Sequence, residues 1–92
     1  PLSTRDINIV IDKSVSYEEI EILLNTEKIK FLNTYSLVNT FEGQDIPKGS
    51  VSMTFRFVFQ SNAKSLLEAD IKDSMQIIWN LLEKRLNAKI RS

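Results

Sequence analysis

The chain has 92 residues, enough for one domain and too few for two independent cores. Apolar residues make up 42% and charged residues 26%, the balance of an ordinary globular chain, and no apolar run approaches the roughly 20 residues of a membrane span. Cysteine and histidine are both absent, which excludes disulfides, thiolate metal sites and the commonest general base, while twelve basic residues balancing twelve acidic ones argue against a strongly basic nucleic-acid binder.

The first periodic segment is Arg5 to Ile11. Ile7, Ile9 and Ile11 alternate with Asn8 and Val10, the two-residue period of a strand with one buried face. Ser16-Tyr17-Glu18-Glu19 then has the pattern of a capping box, with Val15 and Ile20 placed as a hydrophobic staple. Ile20, Leu23 and Leu24 continue it as a helix from Tyr17 to about Asn25. Phe31 to Phe41 reads as a second strand, with Phe31, Tyr35 and Leu37 on one parity and Thr34, Ser36, Val38 and Thr40 on the other.

Both glycines of the chain, Gly43 and Gly49, fall with Pro47 in the segment that follows, so it is read as a loop joining two strands. Val51 to Gln60 is the strongest strand. Met53, Phe55, Phe57 and Phe59 stand on one side, and Ser52, Thr54, Arg56, Val58 and Gln60 on the other. A long helix is expected from about Leu66 to Leu86, with Ile71, Met75, Ile78 and Leu82 forming its buried stripe and Ile77 outside it beside Leu81. Ser65 and Glu68 are read as its capping box. Asn87 suits the helix end, and Ala88 to Arg91 a short final strand.

The order strand, helix, strand, strand, helix, strand implies a ferredoxin-like α+β sandwich: a four-stranded antiparallel sheet with both helices on one face. The phenylalanine row must face the helices, because only that face is dry. The opposite face, carrying Asn8, Val10, Ser52, Thr54, Arg56 and Val58, is expected to be open.

Catalysis finds little support. Serine and threonine hydroxyls are present, but no histidine or cysteine activates them. Asp70 and Asp73 read as solvated helix carboxylates, and Gly43 and Gly49 do not form a phosphate-cradling motif. The RNA recognition motif shares this topology but stacks bases on sheet-face aromatics, whereas Phe55, Phe57 and Phe59 have core parity. Charge is unevenly spread. Ile46 to Leu67 holds Lys48, Arg56 and Lys64 and no acid, and Lys84, Arg85, Lys89 and Arg91 follow Glu83 without one. That distribution suits a weak phosphate-facing surface.

Several segments together resemble a known family. Pro1 lies just upstream of Arg5-Asp6-Ile7, and Val38-Asn39-Thr40-Phe41 ends the second strand. Gly43-x-x-Ile46-Pro47-x-Gly49 fills the loop, Ser52-Met53-Thr54-Phe55-Arg56-Phe57 follows, and Ser65-Leu66 leads into the long helix. This order and spacing resemble the ferredoxin-fold anticodon-binding domain at the C-terminus of the bacterial phenylalanyl-tRNA synthetase beta subunit. The resemblance runs from Pro1 to about Arg91.

It implies a single module excised from a longer chain, non-catalytic by itself and without a cofactor or metal. Its implied partners are the anticodon region of tRNA(Phe) and the remainder of the synthetase, with the isolated domain monomeric and cytoplasmic. A ferredoxin-like regulatory module binding a small ligand or a partner domain through its sheet is the rival reading. Carried over by motif, the RNA contacts fall on Asn8, Asn39, Phe41 and Ser52, with Arg56 and Lys48 supplying phosphate attraction. Family members usually carry Asp where Asn39 stands, Tyr at Phe41, Arg at Gln60 and a helix-capping Thr at Leu67. An aromatic ring at Phe41 can stack an unpaired base, and the amide and hydroxyl groups can meet base edges.

Overall fold

In the computed structural model, which describes residues 2–91, the elements are β1 (Ser3–Asp12), α1 (Tyr17–Glu27), β2 (Leu32–Phe41), β3 (Ser50–Phe59), α2 (Glu68–Leu86) and β4 (Lys89–Ile90). Pro1, part of the motif upstream of β1, lies outside the described residues. The strands form one antiparallel sheet in the order β2-β3-β1-β4. This is the expected ferredoxin-like arrangement, in which each helix carries the chain across the sheet between strands that are not neighbours.

Local chemistry sets the ends of α1. Ser16 Oγ accepts from the Glu19 N–H at 3.1 Å, and the Glu19 carboxylate accepts from the Ser16 N–H at 2.8 Å, so the capping box is closed from both sides. Lys28 stops the helix in the left-handed region (φ 51°). The next residues turn tightly, and Phe31 is itself left-handed at φ 65°. Phe31 therefore stands before β2 and not in it, and Leu32 takes the first paired position opposite Phe59.

The start of α2 differs from expectation. Leu67, not Ser65, is the N-cap residue, and its alkyl side chain accepts no hydrogen bond. Only the reciprocal half of a capping box exists, in which the Asp70 carboxylate accepts from the Leu67 N–H at 2.9 Å. Glu68 is drawn away to Arg5 of β1, which donates to both of its carboxylate oxygens at 2.6 Å. This long-range ion pair is invisible to a local capping pattern. At the other end, the Ala88 N–H donates to the Leu82 carbonyl at 3.1 Å across left-handed Asn87 (φ 55°), turning the chain into β4.

One face of the sheet makes the core. Ile7, Ile9 and Ile11 of β1 and Met53, Phe55, Phe57 and Phe59 of β3 are buried with Ile20 and Leu24 of α1 and Ile71, Met75, Ile78 and Leu82 of α2. Both helices therefore cover the same face. The aromatic row is continuous, with ring centroids 6.3 Å apart for Phe55 and Phe57 and 6.1 Å for both Tyr17–Phe55 and Tyr35–Phe57. Buried Ser74 donates its hydroxyl to the Lys30 carbonyl at 2.8 Å, tying α2 to the turn after α1. Ile77 lies outside the buried stripe and is exposed, beside Leu81 in a shallow depression shared with Asn80, Lys84 and Arg85.

Truncating Phe57, fully buried between two aromatic neighbours, to alanine is expected to cost about 3–5 kcal/mol. Urea unfolding measures this, and a parental midpoint would refute the core assignment. Leu67→Ser places a hydroxyl acceptor at an uncapped helix start where the native side chain is 66% exposed, so little burial is lost. A gain of about 0.5–2 kcal/mol in the same experiment is expected.

Candidate nucleic-acid interface

The pairing of β1 with β3 brings residues of matching parity into rows across the free face. Asn8 stands opposite Thr54, Val10 opposite Ser52 and Asp6 opposite Arg56. On the far side of β3 the register of β2 changes twice. Leu37 pairs with Phe55, but Asn39 pairs with Thr54, so Val38 is an extra residue. A second irregularity lies between Leu32 and Thr34.

The Val38 bulge decides where the candidate site residues go. Under simple alternation Asn39 and Phe41 would share the parity of Tyr35 and Leu37 and point to the helices. One extra residue reverses that parity. Asn39 joins the row of Thr54 and Asn8, and Phe41 joins the row of Ser52 and Val10.

Four of the six sequence-predicted site residues thus share one end of one sheet face. The Asn8 side-chain amide donates to Ser52 Oγ and to Thr54 Oγ1, both at 2.8 Å. That orients the amide and leaves its carbonyl oxygen as the remaining acceptor. Asn39 is exposed, and Phe41 keeps 51% of its surface exposed. Its ring lies against Gly43: a Cβ built on that glycine would come within 2.5 Å of Phe41 Cζ. Glycine at 43 is therefore the seat of the ring.

This face is less open than expected. Val10 and Ser52 are buried, and Asn8, Thr54 and Val58 are half-buried. Ser52 is a small residue on an inner strand flanked in its row by the larger Phe41 and Val10, which shield it. Ile46 of the loop is also buried, outside the helix-side core. The loop is fixed to β1 by the Lys13 N–H donating to the Gly49 carbonyl at 2.9 Å and by a Lys13–Glu42 ion pair at 2.9 Å. Gly49 takes φ 88°, which favours glycine. Lys48 projects from this loop as an exposed cation.

Arg56 sits apart from the other five. Its guanidinium donates from Nε and Nη2 to the two carboxylate oxygens of Asp6, at 2.9 and 3.0 Å. The cation is neutralised by its row neighbour, a pairing that depends on strand register and that no local run of charge reveals. Sequence reasoning underweighted Lys89 and Arg91. Lys89 is the register partner of Val10, and the Arg91 N–H donates to the Asn8 carbonyl at 2.8 Å. The pleat sends Lys89 to the free face, and Arg91, two residues on, follows it. The signal was the acid-free stretch after Glu83.

An exposed ring beside oriented amide and hydroxyl groups, with flanking cations on the free face of a ferredoxin-like sheet, has the chemistry that stacking of an unpaired base and attraction of its phosphates would use. Residues 1–91 match the family described as the ferredoxin-fold anticodon binding domain, and the chain belongs to that family. Over 99% of its length it is similar to phenylalanine–tRNA ligase beta subunits: 33% identical to that of Porphyromonas gingivalis and 36% to that of Bacteroides thetaiotaomicron. A chloroplastic beta subunit from Phaeodactylum tricornutum is 26% identical, again over 99% of this chain. The chain spans 11% of the length of the first two relatives and 13% of the third.

The guanidinium of Arg56 beside Asp6 holds that carboxyl below its ordinary value. A lowered folded value means that the pair contributes fully above the ordinary aspartate range, about pH 4, and that its contribution is lost as pH falls through the lowered value. A carboxyl-carbon NMR titration should give an Asp6 midpoint below the ordinary range, moving back up in Arg56→Gln.

Proposed function

We propose that this chain binds the anticodon region of tRNA(Phe) as a non-catalytic module of a phenylalanyl-tRNA synthetase beta subunit. Aminoacylation belongs to the remainder of that synthetase. The observation carrying this reading is the convergence of Phe41, Asn39, Asn8 and Ser52 on the free sheet face: the β1–β3 register places Asn8 and Ser52 there, and the Val38 bulge adds Asn39 and Phe41. Phe41 supplies a stacking platform for an unpaired base. Asn39 offers an amide to a base edge in place of the carboxylate usual in the family. The Asn8 carbonyl oxygen is pre-oriented because its amino group is already held. Lys48, Lys89 and Arg91 supply phosphate attraction, and Arg56 contributes little while Asp6 holds it.

Titration with a tRNA(Phe) anticodon stem-loop, followed by fluorescence anisotropy at several salt concentrations, tests the reading. Phe41→Ala should weaken binding by about 1–3 kcal/mol with little change in salt slope. Arg91→Ala should flatten the salt dependence by roughly one phosphate contact, and Asp6→Asn, which releases Arg56, should steepen it by a similar amount. Asn39→Asp should raise the preference for guanine at the first anticodon position. If none of the four departs from the parent, the site is elsewhere. Saturable binding of a free amino acid, with no RNA binding, would favour the regulatory-module reading.

A further inference from the structure

The backbone at position 43 does not call for glycine. Gly43 lies outside the left-handed region that Gly49 occupies at φ 88°. Its carbonyl accepts from the Ile46 N–H at 3.1 Å, so it is the first residue of a tight turn, a position that suits Asp, Asn or Ser. An alanine there would lose less chain entropy on folding than glycine does. What excludes a side chain is Phe41. A Cβ at position 43 would stand 2.5 Å from Phe41 Cζ, 2.9 Å from one Cε and 3.4 Å from the other, and these are its three nearest atoms.

The ring is the movable partner in that contact. It is exposed, and the atoms nearest Gly43 are the far end of a side chain free to change rotamer without entering the core. The loop beneath it is held. Glu42 is paired with Lys13 at 2.9 Å, the Lys13 N–H donates to the Gly49 carbonyl, and Ile46 is buried. A side chain at position 43 would therefore displace the ring and leave the loop in place.

We propose that Gly43 is a positioning residue for base stacking: the space above it holds the Phe41 ring in one rotamer, so the platform is set before a base arrives. This rests on the RNA reading above and adds the residue that orients its ring. An exposed aromatic side chain without such a seat distributes among several staggered χ1 wells. Every other populated well lowers the fraction of molecules that present the platform, and the apparent affinity falls with that fraction. Gly43 itself contacts no base. It acts through Phe41 alone, and it keeps a conformational entropy cost that alanine would remove.

The parent, Gly43→Ala, Phe41→Ala and the double variant form a cycle that tests this. Scalar couplings to the Phe41 β-protons report χ1 in the free protein. They should show one rotamer in the parent and a different or mixed rotamer in Gly43→Ala, with the melting temperature unchanged. Gly43→Ala should weaken the tRNA(Phe) anticodon stem-loop at least about fivefold, with the parental salt slope. Once Phe41 is alanine, the same substitution should change binding less than about twofold. Gly43→Ser, with a hydroxyl suited to the first position of the turn, should reproduce both effects of Gly43→Ala and serves if the alanine variant does not fold. A parental χ1 in the folded position-43 variant would overturn the seat, with or without RNA. A displaced ring with parental affinity, or an equal loss with and without the ring, would overturn the positioning role. Parental binding by Phe41→Ala alone would instead show that the stacking reading has failed, and the role of Gly43 would fall with it.

Discussion

Ten consecutive residue pairs join β1 to β3, from Ser3–Phe59 to Asp12–Ser50, without a break in register. Everything else depends on that ladder. Because side chains alternate across a pleat, an unbroken register commits one whole set to each face. Ile7, Ile9 and Ile11 are locked beside Met53, Phe55, Phe57 and Phe59, and the two helices have one continuous apolar surface to cover. The same constraint places Asn8, Ser52 and Thr54 together on the other face, where the amide of the first bridges the hydroxyls of the other two.

The second hairpin works by departing from that regularity. β2 reaches β3 with two bulges, and the one at Val38 exchanges the faces of the last strand residues. A bulge is a local loss of ladder hydrogen bonding, tolerated here on an edge strand. It turns an aromatic residue that would have extended the core into an exposed ring resting on a glycine. Position 43 must be small because the ring occupies the space a side chain would need. Position 49 is glycine for a different reason, its left-handed backbone. Two glycines in one loop thus answer two separate demands.

Charge follows the same logic of register over sequence neighbourhood. Arg56 lies in an acid-free stretch, yet Asp6, fifty positions earlier in the chain, sits opposite it and cancels it. Arg5 and Glu68 are joined in the same way across the domain, at the start of a helix whose N-cap leucine offers no side-chain acceptor. The cations that remain near the candidate site come from a loop and from the short β4. The attractive field is therefore set by which charges lack a cross-strand partner, and net charge says nothing about it.

Periodicity alone determined the order and type of the elements, the helix-facing phenylalanine row, the α2 stripe and the α1 cap, because each rests on interactions within a few residues or on the burial of one face. The motif order sufficed to point to the anticodon-binding family. Tertiary structure alone decided the bulge at Val38, the left-handed turn that excludes Phe31 from β2, the shielding of Ser52 between Phe41 and Val10, and the partners of Arg5 and Arg56. These features are pairings between residues far apart in the chain. A local pattern records which side chains a strand carries, but which residue stands opposite, and after how many skipped positions, is fixed only when the strands meet.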